Sequence, residues 1–198
     1  MARIPNENPV MTGAAYLAAD SASAIRKAEV TLCEILGANI TQYAFFNDQQ
    51  LSIKRALTSH YKLALPAPSC FETGKSKQLV LRIEPTKIWI VSVKKPASQP
   101  AIFDKFYPLE MTGSRAILKI EGRKSIELLR RLTSANLNGE AGSLLATGMH
   151  HIPVHLLKMA DTEFLLFIPR SYAESLGHLI VQISKQFGSA VKPPEYYR

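Results

Sequence analysis

The feature that most constrains this chain is one order of apolar runs that occurs twice. In the first half, Val30–Leu36 and Ile40–Phe46 have strand character on either side of Gly37. A helix follows, with Ile53, Ala56, Leu57, His60, Tyr61 and Ala64 on one side, and Pro66 and Pro68 stop it. Leu79–Ile83 and Ile88–Val93 then flank Glu84–Pro85–Thr86, which reads as a hairpin. In the second half, Ala116–Ile120 is a strand broken at Gly122, and Ser125–Thr133 is an amphipathic helix. Ile152–Met159 and Phe164–Ile168 form a second hairpin around residues 160–162. A closing helix carries Tyr172, Leu176, Leu179, Ile180, Ile183 and Phe187 on one arc. Ser171 and Glu174 have capping-box spacing at its start, and Gly188 sits at its C′ position.

Strand, helix and hairpin, run twice, predict an α+β fold of two ferredoxin-like pseudo-repeats with helices packed on sheet faces. The expected boundaries are a flexible leader over 1–28, one domain over 29–188 and a C-terminal tail over 189–198. The domain divides into halves at about 29–107 and 108–188. Residues 66–77, 94–100 and 134–148 read as loops, and Ala101–Tyr107 as a short helical segment.

With 198 residues, 46% of them hydrophobic, the chain can bury a full core. Its two cysteines exclude a disulfide framework and a four-cysteine zinc site. No apolar run approaches the roughly 20 residues of a membrane span. Val10–Ala19 is weakly apolar, but Thr12 and Gly13 interrupt it and Pro5 and Pro9 precede it. It reads as leader rather than secretory signal, and a cytoplasmic protein is expected. Lysine and arginine number 24 against 16 acidic residues, so acidic partners are favoured. A nucleic-acid-binding domain would rest on that charge alone, since no basic–aromatic signature accompanies it.

Chemistry-bearing motifs are sparse. As strand residues, His151 and His155 lie roughly 13 Å apart, too far to share a metal, and with His150 they read as surface or edge-strand side chains. Cys33 reads as a small buried hydrophobe and Cys70 as a loop thiol. There is no nucleophile elbow and no dinucleotide fingerprint, and Thr73–Gly74–Lys75–Ser76 lacks the upstream glycine of a phosphate loop. Trp89 reads as core. The residues thus predict no catalytic group and no metal ligand.

Three segments carry a resemblance. Leu109–Gly122, LEMTGSRAILKIEG, resembles a strand of the gamma subunit of heterotetrameric sarcosine oxidase through Ser114, Arg115, Ala116, Leu118, Ile120 and Gly122, with Ser125–Leu132 as the helix after it. Phe164–Leu176, FLLFIPRSYAESL, resembles the family's hairpin strand and closing helix, with Pro169, Arg170, Ser171 and Tyr172 in register. Leu81–Val91 resembles its earlier hairpin, with Pro85 at the turn and Trp89 placed similarly. The resemblance spans about residues 28–188. It implies a fold like the N-terminal part of the glycine-cleavage T-protein. It also implies a non-catalytic accessory subunit, partnered by alpha, beta and delta subunits. The complex would oxidatively demethylate sarcosine or a related N-methyl amino acid and pass the one-carbon unit to tetrahydrofolate. FAD, FMN, NAD and tetrahydrofolate would lie on the partners, with none bound by this chain. The alternative is a stand-alone folate-binding protein, in which Arg115 or Arg170 would hold the carboxylates of the folate glutamate. The competing reading of both arginines is a hydrogen bond within the fold at a strand end.

Overall fold

The computed structural model describes residues 9–10, 19–74, 77–93 and 101–197. A short helix, α1 (Ala22–Lys27), leads into β1 (Val30–Leu36), and Ser21 caps it by accepting from the Ala24 N–H. Of the expected leader, residues 1–8 and 11–18 lie outside the described residues. The described remainder touches the domain: the Val10 N–H donates to Glu34 Oε1 at 2.8 Å, and the Asp20 carboxylate accepts from the Val191 N–H.

After Gly37 turns the chain at φ 73°, β2 (Asn39–Ala44) begins a second sheet. A 3-10 turn, Asn47–Gln49, opens α2 (Gln50–Tyr61), whose buried side is Ile53, Ala56 and Leu57. The chain then folds as a meander: β3 (Phe71–Thr73), β4 (Leu79–Glu84) and β5 (Lys87–Ser92). After the 3-10 segment Ala101–Phe106, β6 (Leu109–Glu110) returns to pair with β2. The second run starts at β7 (Arg115–Glu121), followed by α3 (Ser125–Leu132). Its meander is β8 (Leu144–Met149), β9 (Ile152–Ala160) and β10 (Glu163–Pro169). Then come α4 (Ala173–Ser184), β11 (Ser189–Val191) and β12 (Glu195–Tyr196).

The strands make two sheets, ordered β3-β4-β5-β2-β6 and β11-β1-β7-β10-β9-β8, with β12 also pairing β1. The architecture is therefore mixed α+β, with four helices and two sheets among the described residues. Its layers follow from alternation along each strand. Leu32, Leu118 and Leu166 face α3 and α4. Ile35, Ile117 and Phe167 point the other way, against Ile40, Leu81 and Trp89 of the smaller sheet. The outer face of that sheet, with Tyr43, Val80 and Ile90, is covered by α2 and by Phe103 and Phe106.

Four details depart from the expectations above. First, β1 belongs to the sheet of the second half, antiparallel to β7, rather than to the first half. It is buried along its whole length, including Glu34 at 1% exposed, so it needs neighbours on both edges and both faces. Second, residues 189–196 are not a tail: β11 and β12 run parallel to β1, and the Lys192 N–H donates to the Leu32 carbonyl. Third, each hairpin gains a strand, β3 or β8, from segments that read as loops. Fourth, α4 enters through a 3-10 turn, Arg170–Tyr172, with Tyr172 at the N-cap and no side-chain cap bond.

Gly122 ends β7 at φ 127°, and a Cβ there would meet the Glu29 carbonyl oxygen at 2.2 Å. Both the left-handed backbone and the close approach demand glycine. Gly122→Ala is expected to lower stability by about 3 kcal/mol, read as a reduced urea midpoint with an unchanged m-value.

Candidate functional site

Arg115 is the first residue of β7, and alternation directs it to the same side as Ile117, into the layer between the sheets. Its Cζ lies 5.1 Å from the centre of the Trp89 ring, close enough for a cation–π contact. On β5, Trp89 is 1% exposed, and its Nε1–H donates to Gln42 Oε1 at 3.0 Å. The His155 ring, from β9, packs 4.7 Å from the Trp89 ring, and Phe167 of β10 lies 6.2 Å away. The corner thus joins β2, β5, β7, β9 and β10 through one indole.

The guanidinium is poorly compensated. Nη1 donates to the Ser114 carbonyl at 3.1 Å, while Nε and the neighbouring Ser114 Oγ are buried with no hydrogen-bond partner. Among the described residues no carboxylate pairs with it. Burial draws the Arg115 pKa below its usual value, yet a guanidinium remains a cation. Burial is also the main reason that His155 is pulled down to about 4, with the Arg115 charge adding to it and Glu84 opposing. His155 is therefore a neutral ring at physiological pH.

A second charged cluster lies farther along the same face of the larger sheet. Glu121 accepts from both Lys119, at 2.6 Å, and Lys192, and Glu163 lies 3.4 Å from Lys119. Burial pushes Glu121 up, but the two lysines outweigh it and hold the carboxyl at about 2. Beside it, Ile35, Lys119, Leu165, Tyr196 and Tyr197 line a cavity of about 440 Å³. The Cys33 thiol, pushed up to about 11 mainly by burial, is an inert core group. Among the described residues no three His, Cys, Asp or Glu side chains come together to hold a metal ion. Lys75 and Ser76 of the phosphate-loop-like stretch lie outside the described residues.

Both arginines singled out from sequence sit at one end of the β7–β10 pair. Arg115 opposes Pro169 in register, and the Arg170 N–H donates to the Ser114 carbonyl at 3.0 Å. That link is backbone to backbone. His155 was missed: β9 is an interior strand, covered by β8, so this histidine is pressed on Trp89 rather than placed at an edge or surface. His150 and His151 form the tight β8–β9 turn, with φ 47° and 66°, values that usually select Asn-Gly. A lone tryptophan and, in a different segment, a strand-end arginine were the available signal, but only packing across the sheets brings them together.

The sequence matches no family model and no curated protein. Solved structures do match. The fold is similar to a chain of the heterotetrameric sarcosine oxidase from Corynebacterium sp. U-96, in complex with pyrrole 2-carboxylate. That match has a TM-score of 0.69 and 21% identity, over 85% of this chain and 93% of that one. It is also similar to the glycine cleavage system aminomethyltransferase T from Bartonella henselae, with a TM-score of 0.63 and 10% identity. There the likeness covers 85% of this chain but 50% of the other, so this chain spans half of that enzyme. The resemblance implied a mixed α+β fold like that of the aminomethyltransferases, and such a fold is observed.

His155 makes stability depend on pH. Its ordinary pKa is 6.5 and its folded value is about 4, so between these the unfolded chain binds the extra proton. The contribution is complete above about pH 6.5 and is lost as pH falls towards about 4, in all about 2–3 kcal/mol. His155→Phe is expected to flatten that part of the profile, measured by urea unfolding from pH 7 to pH 4.

Proposed function

We propose that this chain is a non-catalytic accessory subunit, of the gamma type, in a sarcosine-oxidase-type flavoenzyme. One observation carries this reading: the fold likeness runs over nearly the whole of a single chain of a heterotetrameric sarcosine oxidase. An isolated catalytic domain would be expected to bring nucleophiles, acids or metal ligands together. The titratable groups here are instead paired structurally, as in Glu121 with its two lysines. In this reading alpha, beta and delta subunits carry FAD, FMN, NAD and tetrahydrofolate. The complex oxidatively demethylates sarcosine or a related N-methyl amino acid and hands the one-carbon unit to tetrahydrofolate. This chain supplies a rigid, basic surface to them, with net charge +8, and we place it in the cytoplasm. Among the described residues no helix is long and apolar enough to cross a membrane. We also read the two strand–helix–meander runs as a duplicated unit; their matching strand order supports it.

The likeness to an aminomethyltransferase, together with the uncompensated Arg115, favours a second reading, a stand-alone folate-binding protein. Calorimetry with tetrahydrofolate separates the two, since the accessory-subunit reading expects no heat from the isolated chain.

Purified under native conditions from its source, the chain is expected to run with larger polypeptides that absorb as flavoproteins. A lone monomer in that fraction overturns the accessory-subunit reading.

A further inference from the structure

The Arg115 corner has an unmet electrostatic demand. Its guanidinium is half-buried against Trp89 and makes one hydrogen bond, to a backbone carbonyl. Nε and Ser114 Oγ touch neither a partner nor solvent. A cation withdrawn from water without a counter-ion is electrostatically unfavourable relative to a paired one, and here none of the described carboxylates pairs with it. The rim of the corner is apolar and open. Leu109, 52% exposed, pairs with Gln42 across the smaller sheet, and Gln42 holds the Trp89 indole. Leu109, Gln42, Trp89 and Arg115 therefore form one continuous chain of neighbours. From the same edge, the 59% exposed Tyr107 packs edge-on against the 62% exposed Phe46, with ring centres 5.9 Å apart.

Arginine and aromatic side chains beside a desolvated centre are the composition of an interface hot spot. Monomers seldom leave several large apolar side chains exposed along one edge without a reason. We propose that the β6 edge is the docking surface for a partner subunit, which inserts an aspartate or glutamate carboxylate at Arg115 while Leu109, Tyr107 and Phe46 form the apolar rim. Charge complementarity sets the occupant: an uncompensated guanidinium on a basic chain selects an acidic protein face. This rests on the accessory-subunit reading and adds to it the docking surface and its central contact.

The test is co-expression of the full chain with the alpha, beta and delta subunits of the enzyme from the same source. Arg115→Met and Leu109→Glu are each expected to weaken assembly at least about tenfold, with Arg115→Lys in between because it keeps charge but loses the fork. Leu109 is exposed, so Leu109→Glu decides if Arg115→Met fails to fold by thermal melt. Trp89 is the only tryptophan of this chain. With the partners' tryptophans replaced by phenylalanine, its emission is expected to shift on assembly of the wild type. Variants that assemble as the wild type does overturn the docking site and leave the subunit reading intact. A wild type that never assembles overturns both. A saturable emission change in the isolated chain on adding millimolar sodium benzoate assigns the corner to a free carboxylate and overturns the partner contact.

Discussion

The two sheets are held face to face through Trp89. The indole meets Phe167 and His155 of the larger sheet and the Arg115 cation, while its N–H is satisfied by Gln42 of its own sheet. An aromatic side chain of this size dominates the burial of any layer it occupies. Here it also fixes how the layer ends. The sequence at the start of β7 has to supply a group that can lie on a ring face, and it supplies a guanidinium. Burial then makes His155 neutral, and among the described residues no carboxylate pairs with Arg115. The site's electrostatics are a by-product of how two sheets were closed on one another.

The chain places ionisable groups differently at the two ends of that face. Near Glu121 the charges are matched: Lys119 and Lys192 converge on one carboxylate, which stays ionised and contributes to cohesion. At Arg115 no such matching exists among the described residues. A fold that satisfies one charged cluster and leaves the other open distinguishes structural pairing from an unfilled contact. That asymmetry separates this corner from the lysine and arginine residues scattered over the rest of the surface.

Much of the fold was legible because period and punctuation agreed. The hairpin around Glu84–Pro85–Thr86 and the apolar side of α2 are strong local signals, as is Gly188 at φ 65° after the last helix. What was not legible depends on distant partners. β3 has three residues and one buried side chain, and β8 contains Gly148 and alternates weakly. Both exist because a longer strand offers an edge. The His150–His151 turn hides the β8–β9 hairpin, since two histidines do not announce a left-handed turn. Missing β8 exposed β9 on paper, and with it His155. The chemistry of Arg115 and Arg170, cations able to hold a carboxylate, is legible in the sequence. The structure explains their proximity by strand register, but the indole and the missing counter-ion came only from the three-dimensional arrangement.

The place of β1 has a consequence for the life of the chain on the ribosome. Among the first elements made, β1 pairs in register with Glu121–Ile117 and later with Ser189–Val191 and Glu195–Tyr196. On one edge its partner β7 therefore comes only after the whole smaller sheet, and on the other β11 and β12 come after all the remaining strands. The smaller sheet needs no such wait, because β2 through β6 are contiguous. The smaller sheet can pair as it is made, whereas β1, made just before it, waits for β7 and then for β11 and β12. Such non-local closure is the slow kind, and a largely apolar strand left waiting is exposed to aggregation. That edge of the larger sheet closes only when β11 and β12 come back to lie along β1.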